Sequence, residues 1–408
     1  MIKQELTYWI TLALMPKIWT KRKNEIYVNC FNHSPRITII DLFENPSYWN
    51  ELGLTDTEIE IFKDAHEQLA NNSFIVEDLL SQGYDILPIH SEFYPKTLKD
   101  NLKTGAPTVI FTKGNKQLLQ EPSIAIVGSR KADDISLRFT NNVAKKASAM
   151  NKIVVSGFAK GVDKQALDAT LDSGGKSIIV LPQGIMTFAS GFKQYYKAIA
   201  QGNVLVMSTF APKAPWSKEF AMARNPIIYG MASDIFVAQS DEKGGTWSGV
   251  IDGLRKKRTI YVRWPEPNET NANIKLIEKG ATAVDINGNE QKNITESLKQ
   301  ETEIFNSKII SILSGEPMSS KGIVTGSIMV FLPCLSGFAI PEILGRGNIV
   351  LIGNVIAVSI SKLSDNKNRF CSFWVSNLTQ LGRTSFIASL KRKKKCSAKY
   401  LLKARISG

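Results

Sequence analysis

The stretch Ser123–Arg130 reads SIAIVGSR, and it decides the fold class of this 408-residue chain. Its first five residues form a short apolar run, which is typical of a strand buried on both faces of a parallel sheet. The run ends at Gly128-Ser129-Arg130, which offers backbone freedom, a hydroxyl and a planar guanidinium at the end of the strand. A helix is predicted to follow over Ile135–Met150. This strand–loop–helix unit indicates an α/β protein.

Similar units continue on the C-terminal side of this stretch. Helical patterns separate most of the later apolar runs, and repeated β–α units predict a parallel sheet covered by helices on both faces. We therefore expect an extended Rossmann-like parallel sheet, preceded by a small helical domain and followed by an atypical C-terminal tail. The other predicted strands are Asp85–Ile89, Thr108–Thr112, Ile153–Val155, Ser177–Leu181, Val204–Met207, Ile235–Ala238, Ile260–Val262 and Thr282–Asp285.

The pattern divides the chain into four segments. Residues 1–82 are predicted to form a helical domain, with helices over Glu58–Leu69 and Ile75–Gln82. Residues 83–285 are predicted to form the extended Rossmann-like domain. Residues 286–320 resemble a linker that contains one helix, Ile294–Leu313, and residues 321–408 form a basic segment of uncertain fold. The uncharged stretches of that segment are short or interrupted by proline, so we do not expect a membrane anchor.

Positive charge is concentrated in the C-terminal segment. The chain has a formal net charge of +14, but from Lys321 onwards 14 Lys and Arg residues stand against only Glu342 and Asp365. The first 320 residues are therefore close to neutral overall. If the core binds a polyanion, it must do so with a local patch of cations.

Few residues are available for metal or acid–base chemistry. The histidines His33, His66 and His90 all precede residue 91, so the later residues contribute no histidine base, triad member or metal ligand. The four cysteines are far apart and lack C-x-x-C spacing, which indicates no zinc site and a reducing cytoplasm. Neither the dinucleotide fingerprint nor a P-loop is present. We expect no metal and no cofactor.

Glycines, hydroxyls and cations follow several of the predicted strands. Ligands of a doubly wound sheet lie beyond the carboxyl ends of its strands, where such loops converge and helix N-termini attract anions. These loops offer no acid–base pair, and Asp163 is expected to cap a helix. We therefore predict a phosphate-binding surface and no catalytic residue. Its candidate residues are Gly128, Ser129, Arg130, Ser156, Gly157, Lys160, Gly161, Arg224, Asn225, Gly244, Gly245, Thr246 and Ser248.

An ordered set of motifs resembles the DprA/Smf family of DNA-processing proteins over about residues 80–285. These motifs are Ser123–Arg130, Val154–Asp163, Phe220–Ser233, Gly244–Val262 and Leu276–Ala281. The resemblance implies an extended Rossmann fold that binds single-stranded DNA through its phosphates, associates with itself and delivers the strand to a RecA-type recombinase. It also implies a DNA pocket lined by Gly128, Ser129, Arg130, Ser156, Gly157, Lys160, Arg224 and Asn225.

The chain departs from the family pattern at several points, which mark it as a divergent member. Leu167 stands where the family usually has a histidine, and Pro226 replaces the second arginine of an Arg-Asn-Arg motif. Gly244–Trp247 replaces a Ser-Gly-Ser-leucine loop. The segment after residue 321 does not resemble the small winged-helix domain of the family. These departures concern the recombinase role more than the fold.

Two other functions are weighed against DNA binding. Gly244-Gly245-Thr246 is similar to the glycine-rich loop of lysine-decarboxylase-like nucleotide hydrolases. The helix predicted over Val250–Lys256 carries Asp252 but no glutamate, which counts against hydrolysis. A membrane-associated sensor, with the C-terminal segment as its anchor, is the third possibility. We expect a cytoplasmic, non-enzymatic protein that binds single-stranded DNA as a homo-oligomer.

Overall fold

A nine-stranded sheet organises residues 2–267 and 269–291, which are the residues that this computed structural model describes. Each of the nine predicted strands overlaps one of the observed strands. In chain order these are β1 (Asp85–Pro88), β2 (Val109–Gly114), β3 (Ser123–Val127), β4 (Ile153–Ser156), β5 (Ser177–Val180), β6 (Val204–Ser208), β7 (Asp234–Val237), β8 (Thr259–Arg263) and β9 (Thr282–Val284).

The order of the strands places a topological switch point at β3. Across the sheet the order is β1-β2-β6-β5-β4-β3-β7-β8-β9. Strands β3 to β9 are parallel, whereas β2 pairs antiparallel with both of its neighbours. The chain builds outward from β3 through β4, β5 and β6, and it then returns to the other side of β3 as β7. The crevice at the carboxyl end of β3 is therefore where a doubly wound sheet binds its ligand.

Six helices precede the sheet. Two of them begin with capping boxes, in which the side chains of Thr38 and Thr55 accept hydrogen bonds from the amides of Asp41 and Glu58. The six helices are α1 (Lys3–Leu14), α2 (Thr20–Asn32), α3 (Ile39–Glu44), α4 (Ser47–Glu51), α5 (Asp56–Glu67) and α6 (Leu69–Ser81).

Helix α6 is longer than its sequence pattern predicts. The sequence predicts a short helix over Ile75–Gln82, closed by Gly83. The observed helix begins at Leu69. Asn72 is buried, and its side-chain amide donates to Thr11 Oγ1 of α1 at 2.9 Å. This interhelical hydrogen bond gives a polar residue a place in the helix interior.

Helices cover both faces of the sheet. On one face, Ile124 and Ile126 of β3 pack with Phe139 and Val162, which belong to two helices that lie side by side. Ala125 and the other alternate residues of β3 face the larger core on the opposite side. The apolar run of β3 is thus buried on both faces, as predicted. The covering helices are α7 (Lys96–Leu102), α8 (Asp134–Ala149), α9 (Val162–Asp172), α10 (Ala189–Ala200), α11 (Lys218–Ala223), α12 (Asn225–Met231), α13 (Gly245–Arg255) and α14 (Asn273–Glu278).

The remaining predictions concern residues beyond Gln291. The helix predicted over Ile294–Leu313, most of the linker 286–320 and all of the segment 321–408 lie outside the described residues. The division into four domains stays a prediction. Within residues 2–267 and 269–291, no helix is both long enough and apolar enough to cross a bilayer.

Candidate nucleic-acid interface

Three loops meet at the carboxyl end of β3, and we name them the switch-point rim: residues 128–133, 157–161 and 239–245. The amide of Ser129 donates to the carbonyl of Gln239 at 2.9 Å, and the amide of Asp133 donates to Gln239 Oε1 at 3.0 Å. The amide of Val162 donates to the carbonyl of Ser129 at 3.3 Å. Gln239 was not predicted, although it lies two residues after the end of β7 and the strand-end argument applies to it.

Two of the predicted glycines let these loops approach each other. A Cβ atom on Gly128 would lie 2.6 Å from Val162 Cγ2, and one on Gly161 would lie 2.4 Å from the carbonyl oxygen of Ser129. Gly161 also has a φ of +79°, which side chains rarely adopt. These glycines therefore serve the contact between the loops after β3 and β4.

Arg130 and Lys160 project from the two loops that this contact joins. Both side chains are exposed, and neither forms an ion pair within the described part of the chain. The hydroxyl of Ser129 accepts a hydrogen bond from the amide of Lys131 at 3.1 Å, and it keeps its own proton for donation. Two exposed cations and a hydroxyl thus stand on adjoining loops, although the rim also carries the carboxylates of Asp133, Asp241 and Glu242. Such a set can hold phosphate oxygens.

Arg224, which was predicted to contact phosphate, lies inside the protein. Its side chain is only 4% exposed. Nη1 donates to the carbonyls of Gly157 and Val180, at the ends of β4 and β5, and Nη2 lies 3.4 Å from Asp163 Oδ2. Gly157 is required here, because a Cβ atom would lie 2.3 Å from the guanidinium carbon. In this conformation Arg224 and Gly157 support the rim from beneath instead of contacting a ligand.

Asp163 is the buried partner of Arg224 and does not cap a helix. The N-cap of α9 is Gly161, which makes no side-chain capping hydrogen bond. The sequence expectation of a helix cap is therefore wrong, because the carboxylate turns inward to the guanidinium. Burial raises the pKa of the Asp163 carboxyl, while the Arg224 guanidinium and the backbone amides of Ala159 and Gly157 oppose this rise. Burial also lowers the pKa of Arg224, which the carboxylate opposes.

Ser156 is likewise turned inward. Its side chain is buried, and its hydroxyl donates to the carbonyl of Ile126 in the neighbouring strand β3 at 3.1 Å. This hydrogen bond joins the carboxyl ends of β3 and β4. The structure therefore gives Ser156 a place in the sheet and not on the surface of the rim.

The glycine-rich loop after β7 supplies a helix N-terminus. Gly244 is the N-cap of α13, has a φ of +103° and makes no side-chain capping hydrogen bond. The first amides of α13, from Gly245 and Thr246 onwards, therefore begin at the rim without a side-chain acceptor. Helix N-termini of this kind favour anions. Gly244 thus precedes α13, and Gly245 and Thr246 are the first two residues of the helix.

Asn225 and Ser248 lie one step further along the surface. The side-chain amide of Asn225 donates to the carbonyl of Gly245 at 3.3 Å, which ties α12 to the glycine-rich loop. Asn225 and Ser248 both line a cavity of about 140 Å³ between α12 and α13. Both residues border the rim. Within the described residues, no contact joins either of them to Arg130 or Lys160.

Phe158 holds the loop after β4 in an unusual conformation that sequence reasoning missed. Its φ is +60°, a value that costs a bulky residue backbone strain. The ring packs edge-on against Phe188 at 5.1 Å and against Tyr195 at 5.6 Å. These aromatic contacts stabilise the strained residue two positions before Lys160.

The histidines lie far from the rim, in or near the N-terminal helices. The ring nitrogens of His33, His66 and His90 lie 3.2 to 3.6 Å from glutamate oxygens. Across residues 2–267 and 269–291, no group of His, Cys, Asp and Glu side chains could hold a metal ion. The chemistry that the rim offers is therefore hydrogen bonding and charge.

Comparisons with known proteins agree on one family. The family described as DNA recombination-mediator protein A matches residues 85–299. The DNA processing protein DprA of Streptococcus pneumoniae is 32% identical over 182 residues, which are 44% of this chain and 63% of that protein. DprA of Bacillus subtilis is 29% identical over 214 residues, 50% of this chain and 69% of that protein. The chain thus matches less than two thirds of the pneumococcal protein's length.

A solved structure supports the fold. The crystal structure of DprA from Streptococcus pneumoniae aligns with a TM-score of 0.57 at 23% identity, and the alignment covers 68% of this chain and 94% of the other. At this identity the likeness concerns architecture. It agrees with the α/β fold described above.

Proposed function

The chain belongs to the family of DNA recombination-mediator protein A, the DprA/Smf family, and from that premise we propose that it binds single-stranded DNA through the switch-point rim. In this proposal the protein holds a strand and passes it on without changing its covalent structure. Delivery to a RecA-type recombinase, self-association and a cytoplasmic location are further parts of the proposal, and the family resemblance supports them.

One observation carries the proposal: Arg130 and Lys160 stand on two loops that touch each other. Both cations are exposed, and the loops that bear them touch through Gly161 and Ser129. The N-terminus of α13 opens onto the same rim, and its amides add partial positive charge. The overall charge of the first 320 residues is small, so this local grouping is what attracts a polyanion.

The size of the rim favours a single strand over a duplex. The two cations stand on loops in direct contact, so they reach neighbouring phosphates of one backbone. A duplex presents two backbones across a major groove about 12 Å wide, which is usually entered by a helix or a β-ribbon. Grooves that track one backbone are typical of proteins that bind single strands.

Catalysis is not part of the proposal. The buried carboxylate beneath the rim, Asp163, is paired with Arg224, and the three histidines lie away from the rim. The nucleotide-hydrolase alternative would need a base on α13. Burial alone would raise the pKa of Asp252, but hydrogen bonds from Lys256 and Arg255 outweigh it and lower that pKa. A carboxylate held in ion pairs is a poor general base, so this alternative is not favoured.

Fluorescence anisotropy with labelled single-stranded, duplex and mononucleotide ligands tests the proposal. We expect the single strand to bind most tightly. Arg130→Ala removes a bidentate contact and should weaken binding more than Lys160→Ala. Each loss is worth roughly 1.5–3 kcal/mol, or about tenfold to a hundredfold in affinity. The slope of the logarithm of the binding constant against the logarithm of the salt concentration should become shallower by about 0.7 for each phosphate contact removed.

Lys145→Ala is the matched control. Lys145 is exposed on α8, eleven residues after the first residue of that helix, and so well away from the rim. The Lys145→Ala variant should bind single-stranded DNA as tightly as the parent protein. If Arg130→Ala and Lys160→Ala remain folded and also bind like the parent, the rim is not the DNA site.

A further inference from the structure

An exposed tryptophan lies on the same edge of the sheet as the rim. Trp216 is 53% exposed and belongs to the loop 209–217, which follows β6 and precedes α11. Its indole makes no ring contact with any residue of the described ranges 2–267 and 269–291. About half of this large ring is therefore open to a ligand.

The loop that carries Trp216 is held firmly in place. The carbonyl of Ala214 accepts hydrogen bonds from the amide of Gly184 at 2.9 Å and from the hydroxyl of Thr187 at 3.2 Å. At the base of the loop, the rings of Phe210 and Phe220 stack with centroids 4.3 Å apart. A ligand that stacks on Trp216 therefore meets a surface that is already ordered, which lowers the entropy cost of binding.

Helix α11 connects this loop to the rim. It begins after Ser217 and ends next to Arg224, whose guanidinium bonds to the carbonyl of Gly157 at the end of β4. Strands β6 and β4 are two places apart in the sheet, which is about 10 Å at the usual strand spacing. The loop of Trp216 thus lies about two strand spacings along the same carboxyl edge from the loop of Lys160.

Two lysines flank Trp216 in the sequence. Lys218 is exposed two residues after it, and Lys213 is exposed three residues before it, 3.2 Å from Asp78. Glu219 is the acidic residue of this short stretch. Lys213 is held by Asp78, so Lys218 is the cation that this loop can offer to a strand, whose bases stack on an exposed ring while its backbone follows the charge.

We propose that Trp216 stacks on a base of the single strand whose phosphates contact Arg130 and Lys160. This inference rests on the proposed function and adds to it a second point of contact, one that recognises bases. Stacking is tolerant of sequence, since every base has a π-face. The protein would therefore distinguish a strand that has bases from a bare sugar–phosphate chain, with little preference among sequences.

The test compares two ligands and two tryptophans. The ligands are an oligothymidine and a strand of the same length made of abasic deoxyribose phosphates. Trp216→Ala should bind oligothymidine roughly fivefold to a hundredfold more weakly, and its affinity for the abasic strand should not change. Trp19→Ala is the matched control, because Trp19 is 85% exposed but lies at the start of α2 among the N-terminal helices. Trp216→Phe, which keeps a stacking ring, should retain most of the affinity.

The outcomes distinguish the stacking contact of Trp216 from the proposed DNA binding at the rim. Arg130→Ala should weaken binding of both ligands by a similar factor. If Trp216→Ala binds oligothymidine like the parent while Arg130→Ala does not, the stacking contact is overturned and the proposed function stands. If Trp216→Ala loses both ligands equally, or only alters self-association, the residue supports the fold or a protein contact, and the inference is also overturned. If neither variant weakens binding, the rim itself is the wrong site.

Discussion

The ion pair between Arg224 and Asp163 shows how a single residue supports the rim without touching a ligand. The guanidinium spans the carbonyls of Gly157 and Val180, so it joins the ends of β4 and β5 at the point where the loop of Lys160 begins. Both partners are more than nine-tenths buried. Such a pair adds little net stability compared with apolar packing, but each partner depends on the other, because a lone buried charge is costly.

Replacing Arg224 with alanine should therefore destabilise the fold strongly. The change leaves the Asp163 carboxylate without its counter-charge and two carbonyls without a donor. We expect Arg224→Ala to lower the free energy of unfolding by about 3–5 kcal/mol. Urea unfolding followed by circular dichroism measures this loss.

A double-mutant cycle identifies the origin of the loss. Arg224→Ala combined with Asp163→Ala should cost less than the sum of the two single changes, because it removes both charges. Arg130→Ala, at an exposed position on the rim, should change stability by about 0.5 kcal/mol or less. Equal stability of Arg224→Ala and Arg130→Ala would contradict the buried ion pair.

At the scale of elements, the sequence predicts the strands. It does not predict whether the polar side chains that follow the strands point outward or inward. The run Ser123–Val127 is short, apolar and followed by a glycine, and each of these features is local to the sequence. The inward direction of Arg224 depends on carbonyls at the ends of β4 and β5, which are distant from it in sequence, whereas Lys160 points outward. Both side chains are cations in loops or at helix ends, so local pattern cannot distinguish them. The sequence therefore located the edge of the sheet, but it could not separate surface residues from their supports.

The N-terminus of α5 offers a test of how helices are joined in the N-terminal region. Arg22 of α2 makes two hydrogen bonds to Glu58, at 2.7 and 3.0 Å, while Glu58 also accepts from the amide of Thr55 at 2.9 Å. The hydrogen bonds from Arg22 and then those from Thr55 lower the pKa of Glu58 from 4.5 to about 2. The folded state therefore holds this carboxylate ionised where the unfolded chain would protonate it.

The sign of the pH effect follows from this lowered pKa. The stabilisation is fully present above about pH 4.5, and it is lost as the pH falls towards 2. Because the pair is partly exposed, we expect it to contribute on the order of 1 kcal/mol. Glu58→Gln should destabilise the protein at neutral pH, and the gap to the parent should close between pH 4.5 and 2 in urea titrations. A gap that stays constant with pH would mean that the charge of Glu58 does not matter.

At the scale of the whole molecule, charge and recognition are separated along the chain. Residues 321–408 carry 14 Lys and Arg residues against two carboxylates, including the cluster Lys391–Lys395. The rim adds a small number of well-placed cations on a nearly neutral core. Contacts with fixed geometry survive salt better than diffuse attraction, which is screened within about 8 Å at physiological ionic strength. We therefore expect the rim to select the strand and the C-terminal segment to add non-specific attraction.

Deleting residues 321–408 should weaken DNA binding without abolishing it. At low salt the full chain should bind single strands and duplex more tightly than the truncated protein, since each added phosphate contact releases counterions. The affinities of the full chain and the truncated protein should converge as salt rises. The preference for single strands over duplex should be clearer in the truncated protein. Anisotropy titrations across a salt series measure the affinities and the preference for single strands. Arg130→Ala should weaken DNA binding by a similar factor in the full chain and in the truncated protein. A truncated protein that remains folded but binds no DNA would place the binding site in the C-terminal segment.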